Sequence, residues 1–142
     1  MNDPFPHYYY YVFIQDMGSS KSLEVNVHAN ILAISYIVTL PSYYREGVPK
    51  IILEAMAMGK PIVTINNVGC KDTVEEGKNG FLVPVKDPVA LSDRIERLIK
   101  NKSMRIDFGK HSRKLAEREF DENIVIDKTM KIYEALISNG QI

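Results

Sequence analysis

Two carboxylates eight positions apart, Glu46 and Glu54, stand in the stretch SYYREGVPKIILEAMAMGKP, residues 42–61. An acid inside a run as apolar as IILEAMAM needs a reason. Ionised carboxylates are seldom buried without a partner. Glu54 therefore requires a ligand, a cationic neighbour, or a half-exposed place at the edge of the apolar face. A carboxylate accepts hydrogen bonds from both hydroxyls of a vicinal diol, such as that of ribose or a hexose. Between the acids lie Gly47, where the backbone can be approached closely, Val48, and Pro49, which suits the first turn of a helix. A helix start offers unpaired N–H groups and the positive end of the helix dipole, a setting for phosphate or diphosphate. A nucleotide-sugar would put its diphosphate at that helix start with a diol on each side. The spacing alone leaves this reading open beside the plainer one, a surface glutamate.

The elements that must position these residues follow a strand–helix–strand order. YIVTLP, residues 36–41, reads as a buried strand that stops at a proline. The loop SYYREG follows, then a helix from Pro49 to about Met58 that Gly59 ends. PIVTI, residues 61–65, is the next buried strand, NNVGC a loop, KDTVEEG a short helix, and NGFLVPV a turn into a third strand. Asp87 and Pro88 cap and open a helix with Leu91, Ile95 and Leu98 on its inner face. Residues 102–119 form another helix with Met104, Phe108 and Leu115 in line. Asp121 caps a last helix with Val125, Ile132 and Leu136 in one stripe, widened by Met130, Tyr133 and Ile137. Upstream, residues 9–14 read as a strand, DMGSSKS as a loop, and residues 24–34 as either strand or short helix. This alternation predicts an α/β fold, a Rossmann-like, mostly parallel sheet with flanking helices. In such a sheet ligands collect beyond the carboxyl ends of the strands, where the loop 42–48 lies.

Composition narrows the function. The 142 residues are those of one domain, and eighteen acidic side chains balance eighteen basic ones. Nucleic acid is not an expected partner for a chain without a basic excess. Residues 1–70 hold nine of the charges, four basic and five acidic, so the first half is either interior or covered. The single cysteine, Cys70, forms no internal disulfide and reads as a buried inert thiol. No His/Cys/Asp cluster has metal-ligand spacing, so no metal is expected. The apolar stretch ILAISYIVTL falls short of a membrane span, which needs about 20 residues. Residues 2–20 have no basic region of the signal-peptide kind. A cytoplasmic protein is expected, with peripheral contact at the inner face of a membrane allowed. His111, among Lys110, Arg113 and Lys114, reads as part of a solvated helix face.

The block LPSYYREGVPKIILEAMAMGKPIV, followed by GCKDTVEEGKNGFLVPVKDPVALSDRIERLI, resembles the C-terminal nucleotide-sugar-binding domain of retaining GT-B glycosyltransferases of family 4, enzymes of capsule, lipopolysaccharide and related polysaccharide synthesis. The resemblance covers about residues 29–137 at many positions of fixed spacing. Its E-x7-E mark falls on Glu46 and Glu54. The resemblance implies that Glu46, the candidate catalytic residue, lies by the donor sugar and that Glu54 holds the ribose hydroxyls. It also implies that the backbone of Gly47, Val48 and Pro49 sits near the sugar and diphosphate, and that Val68 and Gly69 line the same cleft. The substrate implied is a UDP- or GDP-sugar, with no cofactor and no catalytic metal. A glycan or lipid-linked molecule would be the acceptor.

Departures from the family are equally specific. The acceptor-binding N-terminal domain has no counterpart in the chain. The expected division is residues 1–28 as an atypical segment and 29–142 as the donor-binding domain. The basic pair that neutralises the diphosphate is also without a match, since Lys21 is the only lysine in residues 1–28 and no arginine is present there. GSSKS lacks the spacing of a phosphate loop. Preorganised positive charge normally stabilises a leaving nucleoside diphosphate, and transfer requires an acceptor held against the donor. The chain alone is thus expected to bind a donor weakly and transfer little, with a separate N-terminal domain or self-association completing it. The competing reading is a non-enzymatic interaction module or remnant derived from that domain. A receiver or flavodoxin-like domain fits less well, because neither YIVTLP nor PIVTI ends in an acid.

Overall fold

In the computed structural model, residues 27–41 and 47–140 are described. The strand expected at residues 9–14, the loop after it, and Glu46 fall outside them. Residues 27–34, open between strand and helix on sequence alone, form helix α1 (Val27–Ile34). It leads through a bend into strand β1 (Val38–Leu40). Helix α2 (Lys50–Ala57) and strand β2 (Ile62–Ile65) follow. A 3-10 turn (Lys71–Thr73) precedes strand β3 (Gly80–Val83). Three helices close the chain: α3 (Pro88–Lys100), α4 (Lys102–Glu119) and α5 (Glu122–Ser138).

Among the described residues the sheet is parallel, in the order β1-β2-β3. Val38 pairs with Ile62 and Leu40 with Thr64, while Ile62 pairs with Gly80 and Ile65 with Val83. Strands this apolar make sense only in a sheet covered on its faces, and β1 and β2 are buried at every residue. Gly80 is fixed by the pairing itself: a Cβ there would sit 1.9 Å from the Ile62 carbonyl oxygen.

Helix α2 buries Ile51, Ile52, Ala55 and Met56, residues that share one face at helical spacing. It ends in a Schellman turn. The Gly59 N–H donates to the Met56 carbonyl at 2.9 Å and the Lys60 N–H to the Ala55 carbonyl at 3.0 Å, with Gly59 at a φ of +69°. The end so formed packs on α4, where Gly109 meets the Gly59 carbonyl so closely that a Cβ would lie 2.2 Å from its oxygen. Arg113 of α4 donates to the Ala57 carbonyl at the same end. Helix α3 adds Leu98 to the core, and Phe81 and Phe108 meet edge to face at 5.3 Å between ring centres.

The caps read from sequence are in place: Asp87 accepts from the Ala90 N–H at 2.9 Å, and Asp121 from the Asn123 N–H at 2.9 Å. Asn101 caps α4 in the same way. Three details differ from the sequence reading. Pro49 stands at the N-cap, with α2 starting one residue later. KDTVEEG makes only a three-residue 3-10 turn, because Val74 turns extended. Helix α5 buries no residue at all, and its apolar stripe faces outward.

Candidate functional site

Because all three strands run the same way, their carboxyl ends share one edge of the sheet. The chain leaves β1 for α2 there, and loop 66–70 leaves β2 beside it. The connection to α2 ends at Gly47 and Val48, both exposed, and at Pro49. Pro49 has a φ of −68° and a ψ of 125°, and among the described residues no side chain caps the helix it precedes. Its carbonyl accepts from the Ile52 N–H at 3.1 Å and the Leu53 N–H at 3.3 Å. The N–H groups of Lys50 and Ile51 lie ahead of any intrahelical acceptor and carry the positive end of the α2 dipole.

Glu54 lies one turn into α2, off the face that Ile51, Ile52, Ala55 and Met56 bury. That placement explains how an acid interrupts the apolar run: its side chain is 41% exposed and never enters the core. Its cationic neighbour is Lys50, whose Nζ stands 3.7 Å from Glu54 Oε1. Lys50 carries no recognisable signal in the sequence beyond its i,i+4 offset, and it sets a positive charge at the helix start.

The loop after β2 is tightly tied. The Asn67 side chain accepts from the Val68 N–H at 2.8 Å, and the Asn67 carbonyl accepts from the Lys71 N–H at 2.9 Å. Val68 is exposed, whereas Gly69 is buried at a φ of +86°, a conformation that favours glycine. Cys70 is buried in the core. The structure thus brings Gly47, Val48, Pro49, Glu54, Val68 and Gly69 to one edge of the sheet. Among the described residues no cluster of His, Cys, Asp and Glu suits a metal ion.

Glu75 and Glu76 of KDTVEEG are engaged elsewhere. Asp72 is exposed. Glu76 accepts from the Leu82 N–H at 2.6 Å and so closes the outer edge of β3. Glu75 turns to α4: its Oε2 is 2.7 Å from His111 Nε2, and its Oε1 is 3.0 Å from Arg118 Nη2, with Lys78 Nζ 3.4 Å away. His111 is therefore half-buried in an ionic cluster, not on the solvated face expected for it. Hydrogen bonds from His111, then Arg118 and Lys78, lower the Glu75 pKa from 4.5 to about 2. Beside this cluster, a shallow cavity of about 550 Å³ opens between Lys78, Ser103, Asp107 and His111. It lies at the amino ends of the strands, the far side of the sheet from α2's first turn.

Residues 22–115 match the model of the family described as glycosyl transferases group 1. The capsular polysaccharide biosynthesis glycosyltransferase CapM of Staphylococcus aureus is 29% identical over 136 residues, covering 88% of this chain and 36% of CapM. The N,N'-diacetylbacillosaminyl-diphospho-undecaprenol alpha-1,3-N-acetylgalactosaminyltransferase of Campylobacter jejuni is 34% identical over 103 residues, covering 72% of this chain and 27% of that enzyme. Among solved structures, HepE of Anabaena in complex with UDP-glucose matches with a TM-score of 0.65 at 29% identity, over 76% of this chain and 29% of HepE. The chain spans about a third of the length of these relatives.

Proposed function

This chain belongs to the glycosyl transferases group 1 family, and from that premise we propose that it supplies the nucleotide-sugar half of a GT-B glycosyltransferase site. The diphosphate of a UDP- or GDP-sugar lies against the first turn of α2. The N–H groups of Gly47, Val48, Lys50 and Ile51 and the Lys50 ammonium oppose its charge there. Glu54 accepts from the ribose hydroxyls. Val68 and Gly69 form the neighbouring wall. The sugar passes with retention to a glycan or lipid-linked acceptor held by a separate N-terminal domain. The described domain taken by itself binds donor and transfers little, since transfer also needs an acceptor held against the donor.

The observation that carries this reading is the parallel register. It brings the loop after β1, the free start of α2 and the loop after β2 to one edge. The relative HepE, solved with UDP-glucose, adds the ligand class. Titration with UDP-glucose, read by amide shifts, tests it. Shifts concentrated at residues 47–54 and 67–69 are expected. Shifts confined to the cavity beside Lys78 and His111, or none at millimolar ligand, would overturn it.

A second reading, an interaction module derived from this domain, is favoured by one observation: α5 leaves Val125, Ile126, Met130, Ile132, Tyr133 and Ile137 exposed. Self-association together with an absence of any nucleotide effect on stability would select it.

A further inference from the structure

Three polar side chains meet inside the core behind the loop that follows β2. Thr73, Asn79 and Ser112 are each 0% exposed. Burying a polar group is costly unless its hydrogen bonds are made, and here they are made to backbone. The Thr73 hydroxyl donates to the Cys70 carbonyl at 2.6 Å. Asn79 Nδ2 donates to the Thr73 carbonyl at 2.9 Å, while its Oδ1 accepts from the Glu75 N–H at 2.8 Å. The opposite orientation of that amide would set donor against donor at Glu75. The Ser112 hydroxyl reaches the Asn79 carbonyl at 3.4 Å. Residues 66–79 contain a three-residue 3-10 turn as their only helix, so side chains supply bonds that regular structure would otherwise give the backbone.

These bonds run in a line from α4 to Gly69. The peptide unit between Cys70 and Lys71 is held at both of its ends. Its carbonyl accepts from the Thr73 hydroxyl and from the Thr73 N–H at 3.1 Å, and its N–H donates to the Asn67 carbonyl. Gly69, with its φ of +86°, stands one residue before that unit. Further back, Glu75 is pinned to His111 and Arg118, and Asn79 to Ser112. The same turn of α4 also holds the back of α2, through Gly109 against Gly59 and Arg113 on the Ala57 carbonyl. Residues 109–113 therefore support both walls from behind: 109 and 113 hold α2, and 111 and 112 hold the connection from β2 to β3. We propose that Thr73 is a positioning residue of the donor site. Its hydroxyl fixes the Cys70–Lys71 peptide, and with it Gly69 and Val68, against the frame of α4 that also carries α2. The proposal rests on the donor-site reading above. Thr73, being fully buried, acts through the loop and not on the nucleotide.

Two substitutions in the full chain separate the hydroxyl from the packing. Thr73→Val keeps the shape and removes the donor, whereas Thr73→Ser keeps the donor. Hydrogen exchange of the Lys71 N–H, taken relative to that of Val63 in β2, reads closure of the loop without nucleotide. Titration with UDP-glucose reads the site. In Thr73→Val the exchange ratio and the Kd should each rise about fivefold, and in Thr73→Ser both should stay within about twofold of wild type. Unchanged affinity in Thr73→Val overturns the proposal. So does a Thr73→Ser chain as impaired as Thr73→Val, since the loss would then come from packing. If Thr73→Val does not fold, Glu75→Gln decides, because it loosens the same connection from α4 at a half-buried position. A rise of about twofold or more in both readouts is expected there, and unchanged values overturn the proposal. A wild-type chain that binds no UDP-glucose overturns the donor-site reading and this role with it. Wild-type binding that Thr73→Val retains in full overturns this role alone.

Discussion

Glu54 is a residue whose role is set by its exposure. It spends little of its free energy on the fold, because its pair with Lys50 is long and solvated, worth a few tenths of a kcal/mol. Glu54→Ala should therefore leave the melting temperature nearly unchanged. Loss of a hydrogen bond to a charged group, worth about 1.5–3 kcal/mol, should weaken UDP-glucose binding roughly tenfold or more, as read by calorimetry. A large loss of stability with intact binding would mean that the side chain serves the helix only. Glu75 is the opposite kind of residue, partnered by His111, Arg118 and Lys78 and away from the proposed donor site. Its folded pKa lies below its ordinary 4.5, at about 2. It therefore contributes stability that is present above the unfolded value and is lost as pH falls from about 5 toward 2. Urea unfolding between pH 7 and pH 3 should show that loss. Glu75→Gln should flatten it while lowering stability at pH 7, and an equally steep fall in the variant would place the acid sensitivity elsewhere.

Among the elements, α2 matters most, because its first turn is the proposed anion site and its last turn is clamped. The Schellman turn at Gly59, the Arg113 donor to Ala57 and the contact with Gly109 hold its far end. Gly109→Ala places a Cβ against backbone at 2.2 Å, which no rotamer can relieve. Overpacking of this kind costs about 1–3 kcal/mol, and the shift must be taken up along α2. We expect a lower melting temperature together with weakened UDP-glucose binding. Destabilisation with unchanged affinity would show that α2's first turn is held independently of its last.

At the scale of the whole molecule, one surface stands out among the described residues: the uncovered apolar stripe of α5. Helix α5 exposes Ile132 by 62% and Ile137 by 63%, on a chain that spans about a third of its relatives. A contiguous apolar stripe of this kind marks an interaction surface. Concentration-dependent association in sedimentation is expected. Ile132→Glu should suppress it with little change in melting temperature, since that side chain is already in water. Persistence of the association in the variant would assign it to another surface.

Much of this was legible in one dimension. The strand at 38–40, α2 with its glycine stop, and the caps at Asp87 and Asp121 rest on local rules of period, turn chemistry and side-chain capping, which act over a few residues. The grouping of Gly47, Val48, Pro49 and Glu54 is equally local, one loop and one helix turn. What tertiary structure decided is what depends on contacts far apart in sequence. Val68 and Gly69 come to the same edge as α2's first turn only because β2 pairs parallel beside β1. His111 is drawn into a half-buried ion cluster only because Glu75, distant along the chain, turns to meet it. The stripe of α5 has the period of a buried face, yet period states only which side chains share a face. Whether anything covers that face is a property of the packed molecule, and here nothing among the described residues does.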